Sequence, residues 1–267
     1  LGIGFDGDGD RVGVVDEKGN MIDVDKYLII MWRYLFDKVD KKFIDVNDKM
    51  LKDLKIYRDI LVEWNQKMNL TGIEDEREVY IKHFIDSVSA VKKGYVKDGL
   101  SIIDVGTGAG FPGLPLRICL PNTKVTLLDS LNKRINFLQE VSRSVDIDNI
   151  EFIHGRAEDF GKNPEYREQY DIATARAVAG LPVLMEFCVP FVKVGGYFVC
   201  LKGPNADLEL EESKAAMEVL GVEFIEKINI ELPESDLNHN ILVFKKVKNT
   251  PEKYPRKAGT ASKEPIK

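Results

Sequence analysis

The sequence predicts an α/β fold: helices lead into a mostly parallel sheet that further helices wrap. Three observations carry this. From Gly99 onward, strand-length apolar runs alternate with helix-length stretches, the rhythm of parallel strands joined by crossover helices. The first of those strands ends in a glycine-rich turn, Asp104-Val105-Gly106-Thr107-Gly108-Ala109-Gly110-Phe111-Pro112-Gly113. Ahead of it, apolar residues recur every three or four positions, as on one face of a helix.

In chain order, the sequence opens at Leu1, not Met, and reads as cut from something longer, entering Asp6-Gly7-Asp8-Gly9-Asp10-Arg11 almost at once. An apolar run over 12–15, a turn over 17–20 and an apolar-rich helix over about 25–38 follow. The pattern restarts around 43–48. Met50, Leu51, Leu54, Tyr57, Leu61, Trp64 and Met68 then mark an amphipathic helix over 47–68, and Val79, Phe84, Val88 and Val91 mark a second over 76–93. Beyond Gly99, strands are expected at 100–105, 124–129, 150–154, 171–175, 197–201, 222–232 and 241–247. Helices are expected at 114–120, 132–145, 181–192 and 208–220. The last two strands, joined by a polar turn, suggest an antiparallel edge.

Length and composition suit a globular enzyme: 267 residues, 44% hydrophobic and 31% charged, allow one large domain or a domain plus a fragment. No apolar run approaches a membrane span. Cys119, Cys188 and Cys200 sit on apolar segments without a Cys-x-x-Cys pair, which points to buried thiols in a reducing compartment, the cytoplasm. Net charge is -6, but residues 245–267 hold eight basic against two acidic side chains, leaving -12 on the rest. That asymmetry reads as a flexible basic arm able to meet phosphates, or equally as a solvated terminus.

The glycine turn lies where a doubly wound sheet binds its ligand. Gly108, Gly110 and Gly113 also fit the G-x-G-x-x-G spacing of dinucleotide folds, so chemistry has to separate S-adenosylmethionine from NAD. Asp104 precedes the first glycine, where a carboxylate repels a diphosphate but attracts the ammonium of a methionine moiety. Asp129 ends the second strand and suits ribose hydroxyls, as it would for either ligand. Arg156-Ala157-Glu158-Asp159 follows the third strand, where an adenine could meet polar groups; a helix-start acid is the plainer account of either acid alone.

Further stretches join these: Trp64-Asn65-Gln66-Lys67-Met68-Asn69-Leu70-Thr71, Lys82-His83-Phe84-Ile85-Asp86-Ser87, Leu127-Leu128-Asp129-Ser130-Leu131-Asn132-Lys133-Arg134, Ala175-Arg176-Ala177 and Leu201-Lys202-Gly203. Together with the glycine turn, the sequence from Asn47 to Lys267 resembles the bacterial 16S ribosomal RNA guanine-N7 methyltransferases, the RsmG family once called glucose-inhibited division protein B. The resemblance implies a class I S-adenosylmethionine-dependent methyltransferase, a Rossmann-like α/β fold with a seven-stranded mostly parallel sheet. It also implies cofactor contacts at Gly106, Phe111, Ala157, Glu158 and Arg176, beside Asp104, Gly108 and Asp129. Asn69, His83, Asp86, Arg134 and Lys202 become candidates for the RNA or base side, each with a plainer structural role open to it. The partner implied is small-subunit ribosomal RNA.

The front departs from that family. Residues 1–43 resemble the metal loop of phosphomannomutase and phosphoglucomutase enzymes, where Asp6, Asp8 and Asp10 would hold Mg. Such an enzyme needs an upstream phosphorylated serine, and the first serine here is Ser87, so a fusion, deletion or assembly product is the simplest account. The expected organisation is therefore a fragment at 1–43 and a methyltransferase domain at 44–267, comprising helices at 44–95, a core at 96–248 and a basic tail at 249–267. No metal is expected in that domain, since its three histidines lack ligand spacing. Guanine N7 carries a free lone pair near neutral pH, so methyl transfer to it needs alignment and no general base. The rivals are an NAD-linked oxidoreductase, an inactive RNA-binding remnant and a small-molecule methyltransferase.

Overall fold

In the computed structural model the described residues are 2–5, 12–15, 18–19, 21–22, 47–232 and 238–267. Asp6, Asp8 and Asp10 of the expected metal loop, and the expected helix at 25–38, lie outside them. At the front, β1 (Gly2–Phe5), β2 (Val12–Val15) and β3 (Met21–Ile22) form a three-stranded antiparallel sheet.

Helix α1 (Asp48–Asn65) starts at Asn47, whose side chain accepts from the Met50 amide at 3.0 Å, satisfying one of the amides a helix start leaves bare. Its apolar stripe is buried from Met50 to Leu61 as the spacing predicts. The second predicted helix, α2, is composite: Glu76–Val79, a π-helical stretch Tyr80–Ile85, and Asp86–Val88, with a 3-10 segment Ser89–Gly94 behind it. A π turn inserts a residue into the helix and is frequent at functional sites. Here it falls on His83.

The main sheet contains β4 (Ser101–Val105), β5 (Lys124–Asp129), β6 (Ile150–His154), β7 (Tyr170–Arg176), β8 (Val192–Lys202), β9 (Val222–Glu231) and β10 (Asn238–Lys246), in the order β6-β5-β4-β7-β8-β10-β9. β10 is antiparallel to both neighbours, and the other pairings are parallel. The expected antiparallel element is thus an inserted strand, with β9 outside it. Crossovers are made by α3 (Gly113–Cys119), α4 (Asn132–Ser144), α5 (Ala157–Phe160), α6 (Leu181–Cys188), α7 (Ala206–Glu212) and α8 (Lys214–Leu220). The predicted helix at 208–220 is broken at Ser213, whose hydroxyl donates to the Glu209 carbonyl at 2.7 Å, the local bond by which serine competes with a helix.

Alternation along the strands divides the interior into two cores. Ile102, Val125, Leu127 and Ile172 face α1 to α4, while Ile103, Leu128, Ala173 and Ala175 face α6, α8 and the C-terminal segment. Cys119, Cys188 and Cys200 are free and buried. No helix among the described residues is long and apolar enough to cross a membrane. The tail is not the arm its charge suggested: Tyr254 and Ile266 are buried in the second core, and the chain ends around a short helix, α9 (Thr260–Lys263). The expectation failed because charge counting sees the cations of a segment but not the buried Glu186 that one of them, Arg256, pairs with.

Candidate active site

The glycine turn begins where β4 ends. The Gly106 and Thr107 amides donate to the Leu128 carbonyl at 2.8 and 3.1 Å, tying the turn to β5. Gly106 has φ +70° and Gly110 φ +99°, and a Cβ on Gly110 would stand 2.7 Å from Leu138 and closer still to the Tyr57 hydroxyl. Both positions therefore need glycine. The Tyr57 hydroxyl donates to the Ala109 carbonyl, so α1 buttresses the turn from behind.

Asp104 lies beneath this turn, fully buried. Its Oδ2 accepts from Thr107 Oγ1 at 2.7 Å and from the Gly113 amide at 2.9 Å, while its Oδ1 has no partner among the described residues. Burial pushes its carboxyl up to about 6, because desolvation disfavours the charged form. Asp129 is also buried and organises the next turn: Oδ2 accepts from the Gly108 amide at 2.9 Å and from Arg134 at 3.3 Å, and Oδ1 from the Leu131 amide at 2.9 Å.

A cavity of about 450 Å³ opens beside these residues, within the range of small-ligand sites. Gly106, Asp129, Ala157 and Glu158 line it, as does Arg134. Arg134 was expected on the RNA side, but its ion pair with Asp129 seats it here. Gly259 of the tail joins the wall and donates its amide to Glu158 Oε1 at 3.1 Å.

A second cavity, of about 320 Å³, meets the first at Ala177, a non-glycine residue at φ +55°. His83, Asp86, Arg176, Lys202 and His239 line it. Arg176 is the hub: Nη1 donates to Asp86 Oδ2 at 2.8 Å and to the Lys82 carbonyl at 2.9 Å, Nη2 lies 3.1 Å from His83 Nδ1, and the guanidinium sits 4.7 Å over the Phe111 ring. Thus Arg176 and Phe111, expected at the cofactor, join the His83 group; His83 stacks on Phe111 with centroids 4.5 Å apart. Burial and the Arg176 charge hold the His83 imidazole down to about 3, so it stays neutral. Its Nδ1 also lies 3.2 Å from the Lys82 carbonyl, and its Nε2 2.7 Å from Thr71 Oγ1, so both ring nitrogens are engaged. Lys202 pairs with Glu209 at 2.6 Å.

Asn69 is exposed and lines neither cavity. The turn beside it is held instead by Asn65, whose side chain accepts from the Leu70 and Thr71 amides at 2.8 and 3.0 Å. Sequence reasoning also gave no role to His239, whose Nδ1 lies 2.8 Å from Asp86 Oδ1. No local spacing could signal a contact between residues 153 positions apart.

The residues present suit S-adenosylmethionine: Asp129 at the end of β5 and Glu158 on α5 in the cavity wall, an unpartnered buried oxygen on Asp104 beneath the turn, and glycines at 106 and 110 where a side chain would collide. A chain of the solved Haloferax volcanii complex containing the Trm112 methyltransferase activator superposes with a TM-score of 0.52 at 16% identity, covering 70% of this chain and 97% of that one, a likeness of fold. Relatives named ribosomal RNA small subunit methyltransferase G are far nearer in sequence. The protein of Alkaliphilus oremlandii is 58% identical over 84% of this chain and 94% of its own length. That of Clostridium novyi is 49% identical over 86% and 93%. The family model described as rRNA small subunit methyltransferase G matches residues 50–235. The match spans the glycine turn, most of both cavities and all but one of the main sheet's strands, and the chain belongs to the rRNA small subunit methyltransferase G family.

Proposed function

We infer that this chain transfers the methyl group of S-adenosylmethionine to the N7 of a guanine in 16S ribosomal RNA. The observation that carries the reading is the pair of adjoining cavities. One is lined by Gly106 of the glycine turn and by Asp129 and Glu158, the other by Arg176 and His83, and Ala177 is common to both. The cofactor supplies an electrophilic methyl on a sulfonium. Asp129 orients the ribose, Ala157 and Glu158 meet the adenine, and Asp104 faces the ammonium through its unpartnered oxygen.

In the second cavity Arg176 stands where the two ligands meet, and Lys202 and His239 offer polar contacts to the base or its phosphate. No proton has to leave guanine N7 for it to attack, which agrees with a His83 held neutral and occupied by hydrogen bonds. The chain's task is alignment, an effect worth roughly 7–11 kcal/mol when reacting atoms are held in line. A ribosomal RNA substrate puts the reaction in the cytoplasm.

The test is incubation of the purified chain with small ribosomal subunits lacking the modification and isotopically labelled S-adenosylmethionine, followed by mass spectrometry of RNase digests. A single new N7-methylguanine supports the reading; label on another atom or on small molecules alone sinks it.

A further inference from the structure

The segment after β10 has the charge of a nucleic-acid arm, yet it folds back against the first cavity. Pro255 packs on Gly161, where an added Cβ would stand 3.0 Å from the proline ring, at the C-terminal end of α5. Gly259 donates to Glu158 at the other end of the same short helix. Arg167 gathers the intervening backbone, donating to the carbonyls of Gly161 and Tyr254 at 2.8 Å each and of Thr250 at 2.6 Å. Arg256 then fastens the segment to α6: its amide donates to Glu186 Oε1 at 2.7 Å and its Nη2 to Oε2 at 2.7 Å.

Glu186 is fully buried, and its neighbour Phe187 lines the first cavity together with Gly259 and Ser262. A carboxylate in so apolar a helix is stable only when paired. The tail's seat is therefore specified by charge as well as by packing.

We propose that residues 254–263 form the wall that holds the adenine end of S-adenosylmethionine against α5, with Arg256 as the positioning residue acting through Glu186. This rests on reading the first cavity as the cofactor site. The Gly259 amide fixes the Glu158 carboxylate through one oxygen and leaves the other for a donor such as the adenine amino group. Arg256 of the tail thereby serves the cofactor.

The experiment uses the full chain and S-adenosylhomocysteine. Hydrogen exchange followed by mass spectrometry should show the amides of 256–263 slowed about fivefold on saturation; bound ligand with unchanged exchange there overturns the proposal. Calorimetry should show Arg256→Met about tenfold weaker for the ligand, Arg256→Lys intermediate, and the KM for ribosomal subunits unchanged. Wild-type affinity in an Arg256→Met protein that melts cooperatively also overturns it. Should that variant not fold, the exchange result on the unsubstituted chain decides. Failure of the unsubstituted chain to bind at all refutes the cavity reading itself, and the tail's role with it, a result distinct from binding without tail protection.

Discussion

Asp104 and His83 are buried ionisable groups whose effects on stability run in opposite directions with pH. The Asp104 carboxyl rises from 3.8 to about 6 in the fold. The native state therefore holds its proton more tightly, and this group's contribution is present below 3.8 and lost as pH rises through 6. The His83 imidazole falls from 6.5 to about 3, so its contribution is present above 6.5 and lost as pH falls toward 3. Between about 4 and 6 the two slopes offset one another. We predict that Asp104→Asn makes the loss of stability on acidification steeper than in the unsubstituted chain, and that His83→Gln makes it shallower. Urea midpoints at about pH 5 and about pH 7.5 measure both; parallel curves for all three proteins would refute the assignment. Ligand affinity should respond to the first group as well. If the ammonium meets a charged Asp104, S-adenosylhomocysteine binds progressively more weakly below about pH 6, and Asp104→Asn abolishes that dependence.

At the scale of elements, α1 and the glycine turn form one mechanical unit. The Tyr57 ring lies against Phe84, Phe111 and Phe137, with centroids 5.1, 5.6 and 6.2 Å away, while its hydroxyl holds the turn. Tyr57→Phe keeps the ring but leaves the Ala109 carbonyl buried without its donor, and should cost about 1–3 kcal/mol by denaturant titration. Gly110→Ala forces a Cβ into Leu138 at a left-handed position and should be worse, with the glycine turn displaced and ligand affinity lost together. Retained affinity in Gly110→Ala would show that the turn yields.

The periodicity that revealed α1 also revealed β5 and β6 to the residue, because alternation and flanking turn residues are local signals. The break at Ser213 was invisible, since it rests on one serine's bond to the Glu209 carbonyl within a stretch that otherwise reads as continuous helix, and the π turn at His83 leaves the helical spacing of apolar residues in place. Strand order was equally hidden: nothing in the sequence around β10 states that it inserts between β8 and β9. In the site, acids at strand ends could be read from position in the fold rhythm. The meeting of Asp86, Arg176 and His239 could not, because it is assembled by three elements distant in the chain.

For the whole molecule, the family match begins at residue 50, and the first cavity is lined by residues from 105 to 262. Removing 1–43 should therefore leave S-adenosylhomocysteine affinity within about twofold of the full chain by calorimetry. A larger loss would show that the front segment has been recruited as structure. The opposite end behaves differently, since Tyr254 and Ile266 belong to the second core and Gly259 to the cavity wall.

The position of β10 has a consequence for how the protein comes into being. Every other strand of the main sheet leaves the ribosome before β10 does, yet β10 separates β8 from β9 in the interior of the sheet. A nascent chain can pair β4 through β8 as they emerge, but β9 must wait, unpaired, until its successor in sequence arrives to seat it. The segment that brings Gly259 and Ser262 to the first cavity is made later still. A message truncated after β9 would thus yield an open edge at β8 and a first cavity without Gly259 and Ser262.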